Sequence, residues 1–369
     1  MTETWHIEPL TEAVDFCALA GAWAAEGEIA WLDSSTPADG DRGAARFSLL
    51  CSAPVAVLQQ FEGESAHLFL GEQAIADDPS GWRLWSRIQH KLPALSPLPF
   101  TVGPGWLGYV GFEMARQLER LPASRHEDLG LPLLRMALFD QGFVFDHQKE
   151  RAYSVSAPGV REALGKLGLG HENRANRRAA RSPARTEPPM SRPAYERMVR
   201  RAIEYIAAGD IYQVNLAQRF KFDGVDDPLG LYAAVRRSNP APYGALLKWD
   251  DGAVASFSPE LFLQLRENRV LTSPIKGTRP RTGDATRDET QRRELIASGK
   301  EAAELAMIVD LHRNDLGRVC RYGSVRVVHP RRVEAHPTVF HTVADIVGEL
   351  APGRDALDLL AVCFPAGSI

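Results

Sequence analysis

Apolar and polar residues recur with two different spacings along this chain, and the change of spacing separates predicted helices from predicted strands. After Pro193, apolar residues stand three or four positions apart until Gly209, which predicts a helix that begins at a proline and ends at a glycine. The next residues, 211–220, alternate between apolar and polar, which predicts a strand. A helix and a strand are therefore expected in direct succession.

The remaining chain mixes short strands with fewer helices. Apolar runs typical of strands stand at 44–56, 65–70, 133–145, 152–155 and 324–328. Paired runs around polar turns predict two hairpins, 243–249 with 253–258 and 261–265 with 269–272. Helical spacing predicts helices near 11–26, 80–92, 291–316 and 338–349. The pattern indicates an α+β protein dominated by antiparallel strands.

One segment, 171–193, interrupts this pattern, because it is rich in Arg, Pro and Ala and has almost no apolar residue. This composition is typical of a flexible, solvated connector. A nucleic-acid-binding arm would carry interleaved aromatic residues, which the segment lacks. We therefore predict an N-terminal domain at 1–165, a linker at 166–192 and a second domain at 193–369.

The composition limits the class of protein. The 369 residues are 44% hydrophobic and 24% charged, with a formal net charge of −4, which suits one large or two ordinary globular domains. A mildly acidic chain argues against a nucleic-acid surface. No apolar run reaches the length of a membrane span, and the four cysteines form no Cys-x-x-Cys pair. We expect a cytoplasmic protein without nucleic-acid or membrane partners.

A carboxyl group and an amine follow two neighbouring strand breaks. Glu260 comes directly after Pro259, and Lys276 comes two residues after Pro274. Each is equally an ordinary charged residue at a strand edge. Placed in one cleft, however, they would supply an acid for a leaving group and an amine for attack. A free lysine is almost fully protonated at neutral pH, so such a site must desolvate the amine.

The sequence offers one candidate metal ligand. Glu304 stands in a mostly apolar helical stretch, where a carboxylate is costly unless it is paired or bound to a cation. Magnesium is compatible with a single inward carboxylate, whereas His336 and His341 are poorly spaced for zinc. A solvated helix face is the alternative for Glu304. The Gly-x-Gly-x-x-Gly motif at 103–108 lacks a preceding strand, so we reject a dinucleotide site.

Seven motifs in order resemble those of the chorismate-utilising enzymes, and within them the branch of aminodeoxychorismate synthase component I. They are 212–219 (YQVNLAQR), 239–243 (NPAPY), 258–260 (SPE), 274–278 (PIKGT), 308–318 (IVDLHRNDLGR), 339–341 (VFH) and 364–369 (FPAGSI). The resemblance covers nearly the whole chain. It implies a large α+β fold like that of anthranilate synthase component I, in which two mainly antiparallel β-sheets pack together with helices outside.

The resemblance also implies a reaction, the amination of chorismate to 4-amino-4-deoxychorismate for para-aminobenzoate and folate synthesis. By analogy Lys276 attacks ring carbon C2, and Glu260 protonates the departing C4 hydroxyl. Anthranilate synthases have alanine at the Lys276 position. Relatives that add water to chorismate carry a lysine where this chain has Gln213, so that branch is disfavoured.

Further residues receive roles only through the resemblance. His341 would line the site, and Glu304 would supply a Mg²⁺ ligand. The residues expected to contact substrate are Gly277, Thr278, Gly367 and Ser368. Residues that match the positions lining a tryptophan pocket in this group are Ser34, Arg46, Phe47, Pro242, Tyr243 and Gly244.

Partners and competing functions follow from the same comparison. No cysteine stands in a Gly-x-Cys-x-Gly glutaminase setting, so we expect a separate glutaminase subunit to supply ammonia. The family pattern continues past Ile369 with a substrate-binding Arg and a second Glu for Mg²⁺, which the 369 residues do not contain. We expect this chain alone not to turn over chorismate. Anthranilate synthase component I and a non-catalytic chorismate- or tryptophan-binding remnant are the alternatives.

Overall fold

A computed structural model describes residues 2–11, 14–34, 46–122, 130–167, 190–220, 222 and 225–368. The helices are α1 (Phe16–Glu26), α2 (Gly81–Gln89), α3 (Val160–Leu167), α4 (Arg192–Ala208), α5 (Pro228–Ser238), α6 (Ala285–Ala297), α7 (Gly299–Gly317) and α8 (Ala356–Cys363), with a 3₁₀ helix at Phe112–Gln117. The strands of the first half are β1 (His6–Pro9), β2 (Ile29–Asp33), β3 (Phe47–Ser52), β4 (Ala56–Gln60), β5 (Ala66–Leu70), β6 (Gln73–Asp78), β7 (Trp106–Val110), β8 (Leu134–Leu138), β9 (Gln141–Asp146) and β10 (Arg151–Ser156). Those of the second half are β11 (Tyr243–Trp249), β12 (Gly252–Ser258), β13 (Leu261–Arg266), β14 (Arg269–Ser273), β15 (Ile275–Pro280), β16 (Arg326–Ala335) and β17 (Val339–Glu349).

The strands form three antiparallel sheets, which confirms the α+β class. The first sheet has seven strands in the order β1-β10-β9-β3-β2-β11-β12, and the second has five in the order β6-β5-β4-β8-β7. The third has the order β13-β14-β17-β15, with β16 also pairing with β17. The described strands therefore occupy one sheet more than the two that the resemblance implied.

The first two sheets pack face to face around a shared apolar core. Phe47 and Leu49 of β3 meet Val57 of β4 and Ala137 of β8 there, and all four are almost fully buried. A buried ion pair crosses the same interface. Nη1 and Nη2 of Arg135 donate to Glu28, at 2.6 and 2.9 Å. Apolar burial supplies the driving force, and the paired charges fix how the two sheets face each other.

The third sheet carries the motifs with candidate chemistry, and α7 and α8 cover it. Helix α7 packs against β15, β16 and β17. Leu359 and Cys363 of α8 belong to the core of the third sheet, whereas Leu357 and Phe364 pack against the core of the second sheet. Helix α8 therefore joins the two cores and delivers the residues after Phe364 to the edge of the third sheet.

Helix α4 agrees with its prediction, but the strand predicted at 211–220 is wrong. Gly209 ends α4 in the left-handed conformation (φ +81°). The residues that follow have no regular secondary structure, and Tyr212 is 91% exposed. An alternating pattern forms a strand only where a neighbouring strand supplies hydrogen-bond partners. No described strand pairs with this segment.

Two further predictions of helices require correction. The helix predicted at 291–316 is two helices, α6 and α7, because Ser298 leaves the helical conformation and accepts a hydrogen bond from Glu301 N as the N-cap of α7. The helix predicted at 338–349 is the strand β17. Its β-branched residues favour a strand, and partners on both sides bury residues 342–346 completely.

The residues before and after the predicted linker share a sheet, since β11 pairs with β2. Most of the linker, 168–189, lies outside the described residues.

All four cysteines are free. None of the helices that the structure describes is long and apolar enough to cross a membrane.

Candidate active site

Lys276 lies at the start of β15, and its amine is held by two neutral oxygens. Nζ donates to Ser368 Oγ at 2.6 Å and to the Ile275 carbonyl oxygen at 3.1 Å. The carbonyl of Lys276 accepts a short hydrogen bond from Thr342 Oγ1 on β17. The side chain is half-buried. The amine is therefore held in place, and no carboxylate among the described residues pairs with it.

Glu260 contacts the residue that precedes Lys276. It follows β12 of the first sheet and precedes β13 of the third, so it stands where the chain passes between two sheets. Its Oε1 accepts the backbone N–H of Ile275 at 2.8 Å. Because Ile275 directly precedes Lys276, this bond ties the carboxyl group to the strand that carries the amine.

The residues after Lys276 leave the regular sheet geometry. The register with β17 shifts between Lys276 and Thr278, and Gly277 has φ +82°. A Cβ at this position would lie 3.0 Å from Glu301 Oε2 on α7, so both the backbone and the space favour glycine. The bulge therefore interrupts the pairing of β15 with β17 directly after Lys276.

His341 closes this side of the site. Thr278 Oγ1 and His341 Nδ1 are 3.0 Å apart, and the two residues pair across β15 and β17. Burial lowers the pKa of His341, and the nearby positive charge of His336 lowers it further. The imidazole is therefore uncharged at neutral pH and can serve as a hydrogen-bonding group that lines the site.

A chain of charged residues supports His341 from β16. The rings of His336 and His341 meet edge to face at 5.2 Å, and His336 Nε2 lies 3.6 Å from Glu334 Oε2. Glu334 pairs with Arg332, whose Nε and Nη2 donate to Asp345 at 3.1 Å each. Asp345 is 2% exposed. The sequence analysis missed this network, because its members meet only through the pairing of β16 with β17.

Helix α7 contributes a histidine that the sequence analysis did not single out. His312 is 6% exposed, and its Nδ1 lies 2.9 Å from Thr272 Oγ1 on β14. The ring lies near Gly367, since a Cβ added there would be 3.9 Å from His312 Cδ2. A histidine among apolar helical positions was the signal that could have revealed it.

Glu304 lies on the same helix but makes a different contact. Its Oε1 is 3.8 Å from Lys300 Nζ, and its side chain is 39% exposed. Leu311, which contacts Gly367, is seven positions further along the helix, so both lie on one stripe of α7. Among the described residues no three His, Cys, Asp or Glu side chains converge as a metal site. One half-exposed carboxylate still fits Mg²⁺, which takes its other ligands from water and substrate.

The predicted tryptophan-pocket residues gather at one end of the first sheet. Ser34 Oγ donates to the carbonyl oxygens of Phe47 and Pro242, at 2.9 and 3.4 Å, and Gly244 pairs with Asp33. Residues 35–45, which connect β2 to β3, lie outside the described residues. The structure brings Ser34, Phe47, Pro242 and Gly244 together; whether they hold a ligand stays a prediction.

The other two residues of that set have charged neighbours. Arg46 binds Asp146 in a bidentate pair, with Nε–Oδ1 at 3.0 Å and Nη2–Oδ2 at 2.7 Å. Burial raises the pKa of Tyr243, and the carboxylates of Glu334 and Asp345 add to this effect. Tyr243 therefore lies within electrostatic reach of the network behind His341.

The comparisons with known proteins place this chain in a family. It belongs to the chorismate binding enzyme family, whose model matches residues 35–369. Anthranilate synthase component 1 of Thermus thermophilus is 39% identical over 313 residues, which cover 81% of this chain and 66% of that protein. Aminodeoxychorismate synthase component 1 of Klebsiella aerogenes is 40% identical over 272 residues, which cover 74% and 59%. The chain thus spans less than two thirds of the length of these relatives.

A solved structure agrees with this assignment. Anthranilate synthase component I from Streptococcus pneumoniae superposes with a TM-score of 0.71 at 29% identity, covering 87% of this chain and 73% of that one. The two kinds of synthase match this chain at similar identity. Sequence identity therefore shows a chorismate-utilising enzyme family and does not choose between the two reactions.

Proposed function

We propose that this chain is the chorismate-aminating component of aminodeoxychorismate synthase. The observation that carries the proposal is the amine of Lys276, held between neutral oxygens and tied through Ile275 to the carboxyl group of Glu260. An amine and an acid in one cleft suit substitution of a hydroxyl group. Ortho-amination requires no such amine, and the family resemblance implies an alanine at this position in relatives of that type.

The first half of the reaction forms a bond to the protein. The uncharged amine of Lys276 attacks C2 of the chorismate ring, and the ring double bonds shift toward C4. The C4–O bond breaks, and Glu260 in its acid form gives a proton to the departing hydroxyl, which leaves as water. One oxygen of Glu260 accepts the Ile275 amide, which orients the carboxyl group for this transfer.

The second half releases the lysine. Ammonia adds at C4, the double bonds shift back, and the bond between C2 and Lys276 Nζ breaks. The sum is chorismate and ammonia giving 4-amino-4-deoxychorismate and water. Gln213, which is exposed, is a neutral amide and cannot activate water as a base, so hydration of the ring is disfavoured.

Magnesium is part of the proposal. Bound Mg²⁺ would offset the charge of the ring carboxylate, and Glu304 would be one of its ligands. Because the Lys300 amine lies 3.8 Å from Glu304, the cation has to displace this ammonium group. Lys300→Ala should therefore strengthen Mg²⁺ binding, measured by calorimetry with the metal alone, and Glu304→Gln should weaken it.

The proposal includes a separate source of ammonia. The relatives are described as component 1 of their synthases, which implies a second subunit. We expect a glutaminase in that role. Free ammonium should replace it, whereas glutamine hydrolysis by this chain alone would contradict the proposal.

Product analysis tests the reaction. The catalytically competent assembly that contains this chain is incubated with chorismate, Mg²⁺ and ammonium, and the products are separated by liquid chromatography and identified by mass. We expect 4-amino-4-deoxychorismate. Anthranilate as the main product would show the alternative synthase, and chorismate binding without either product would favour a non-catalytic binding protein.

A ligand-binding test addresses the predicted tryptophan pocket. L-Tryptophan should raise the thermal unfolding midpoint of the wild-type chain, since a ligand that binds only the folded state stabilises it. Tyr243→Ala should abolish this shift. An equal shift in both proteins would place the binding elsewhere.

A further inference from the structure

His336 is a histidine beside the site to which no step of the proposed reaction gives a role. It lies in the turn between β16 and β17, and its side chain is 12% exposed. Its backbone N–H donates to the Val339 carbonyl oxygen at 2.8 Å, and its own carbonyl oxygen accepts Arg281 Nη1 at 3.0 Å. The ring nitrogen Nε2 is buried and has no hydrogen-bond partner. A buried polar atom of this kind is rare and calls for an explanation.

The register of the third sheet places a carboxyl group directly opposite His341. Glu334 is the partner of His341 in the pairing of β16 with β17, as Thr278 is its partner on β15. Side chains of directly opposed residues lie on one face of a sheet, with their Cβ atoms about 4.5–5.5 Å apart. An ionised carboxylate at this distance would favour the charged form of the His341 ring.

The carboxyl group of Glu334 is engaged by two other groups. Oε1 accepts a short hydrogen bond from Arg332 Nη1, and Oε2 lies 3.6 Å from His336 Nε2. Burial alone would raise the pKa of Glu334, but the contacts with His336 and Arg332 outweigh this effect and lower it. Glu334 is therefore ionised at neutral pH, and both of its oxygens have a nitrogen neighbour other than His341.

His336 also packs against His341 itself. The two rings meet edge to face with their centroids 5.2 Å apart. The other groups around His341 are the Thr278 hydroxyl and the Gly277 backbone on β15 and the Glu334 carboxylate on β16. Burial lowers the pKa of His341 most and His336 lowers it further, whereas Gly277 and Glu334 raise it. Removal of His336 would therefore leave Glu334 as the charged neighbour of this ring.

The charge of His341 decides how its neighbour Thr278 can use its hydroxyl group. Thr278 Oγ1 and His341 Nδ1 are 3.0 Å apart. An uncharged imidazole has one nitrogen that can accept a hydrogen bond, whereas an imidazolium has only donors. Thr278 can therefore donate its hydrogen to His341 only while the ring is uncharged. A charged ring would force the Thr278 hydroxyl group to turn its hydrogen elsewhere.

We propose that His336 is a positioning residue of the site: by engaging Glu334, it prevents this carboxylate from pairing with His341 and keeps the ring that contacts Thr278 uncharged. Arg332 assists by binding the other oxygen of Glu334. The inference rests on the proposed function only in that Thr278 and His341 line the substrate site.

Titration of His341 in the free chain tests this role, because every group involved is in place without substrate. Histidine labelled with ¹³C in the ring reports the charge of each imidazole by NMR, and His341→Gln identifies the signal of His341. His336→Phe retains a ring against His341 but cannot engage Glu334. We expect it to raise the midpoint of the His341 titration by about one pH unit, the effect of an uncompensated carboxylate nearby.

A double variant shows whether Glu334 causes this rise. In His336→Phe combined with Glu334→Gln, the midpoint of His341 should return toward that of the wild-type chain. The matched control is His329→Gln, which removes another histidine–carboxylate pair of β16, since His329 Nδ1 lies 2.9 Å from Asp345 Oδ2. It should leave His341 unchanged, because His329 stands opposite Asp345 in the sheet.

Three results would overturn the inference. They are an unchanged midpoint in folded His336→Phe, a rise that persists in the double variant, and an equal rise in His329→Gln. A measurement on the wild-type chain covers the case in which the variants do not fold. With ¹⁵N-labelled histidine at pH 8, we expect the hydrogen of the His336 ring on Nε2, the atom that faces Glu334, and a bare Nε2 would contradict the proposal.

These measurements are independent of the reaction product. A wrong assignment of the synthase appears in the product analysis and leaves the titrations readable. A wrong role for His336 appears in the midpoint of His341 and leaves the product unchanged.

Discussion

The two candidate pockets differ in the groups that contact their positively charged side chains. At the end of the first sheet, two arginines form bidentate pairs with carboxylates. Nε and Nη2 of Arg236 donate to Asp33 at 2.6 and 3.1 Å, and Arg46 pairs with Asp146 in the same way. At the third sheet, Lys276 is held by a hydroxyl and a backbone carbonyl. A guanidinium in a bidentate pair is already neutralised. The Lys276 amine has no carboxylate in direct contact among the described residues, so it stays available to a substrate.

This difference predicts that one pocket mainly affects folding and the other mainly affects chemistry. The paired guanidinium groups stabilise the junction of β2, β3 and β11, so changes there should act mainly on folding. The half-buried amine contributes little to folding, so changes there should act on chemistry. Each variant below is therefore measured for both activity per folded molecule and free energy of unfolding, in the catalytically competent assembly with ammonium as nitrogen donor.

Removal of the Lys276 amine should have the largest effect. We expect Lys276→Ala to lower formation of 4-amino-4-deoxychorismate roughly 10³-fold or more, because the nucleophile of a two-step mechanism is lost. Some anthranilate is expected in its place, since alanine is the residue of the ortho-aminating relatives. Lys248→Ala is the matched control and should keep its activity. A normal rate in Lys276→Ala would remove the lysine from the mechanism.

Loss of the acid should have the next largest effect on chemistry. Glu260→Gln retains the shape of the side chain and can still accept the Ile275 amide. We expect kcat to fall about 10²–10⁴-fold, the usual contribution of general acid catalysis, with KM nearly unchanged. The steady-state constants check this. A rise in KM at constant kcat would instead make Glu260 a binding residue.

The opposite result is expected in the first sheet. Arg236→Ala leaves Asp33, whose side chain is 1% exposed, without its bidentate partner. We expect a loss of about 3 kcal/mol in the free energy of unfolding, measured with urea, and little change in activity per folded molecule. Arg237→Ala, one position along α5 and exposed, is the control. Equal stability of the two variants would show that the Asp33 pair is not structural.

His312 should make stability depend on pH. Burial, with the charge of Lys276, lowers its pKa from 6.5 to about 4 in the folded chain. Between these values the unfolded chain binds a proton that the folded chain does not, so stability falls as pH falls from 6.5 to 4. Between pH 7 and pH 4.5, wild type should lose about 2–3 kcal/mol more than His312→Gln. Parallel losses in urea unfolding would contradict this.

The sequence predicted local structure well where the signal was local. The proline at the start of α4, the glycine at its end and the polar turns of the hairpins needed no distant contact. β17 was mistaken for a helix because its strand character depends on partners from β14, β15 and β16. The strand at 211–220 was predicted from its alternation, but no described strand pairs with it.

The candidate site was only partly predictable from the sequence, because some of its residues meet through contacts between distant elements. Two strand breaks predicted that Glu260 lies close to Lys276, and in the structure Glu260 accepts a hydrogen bond from Ile275, the residue before Lys276. The family resemblance supplied Thr278, His341 and Ser368, whereas it gave no role to His312 or Asp345. These last two depend on which residues of α7, β16 and β17 face each other, and this is decided by packing that no short motif records.

The most direct test of the account is to trap the bond to Lys276. In the absence of ammonia, chorismate should react with the lysine and lose water, and the second half of the reaction cannot proceed. Acid quenching followed by peptide mass spectrometry should show an adduct of chorismate less one water on Lys276, and none in Lys276→Ala or on Lys248. If 4-amino-4-deoxychorismate forms with ammonia but Lys276 is never modified without it, the amine is not the nucleophile and the central claim is wrong.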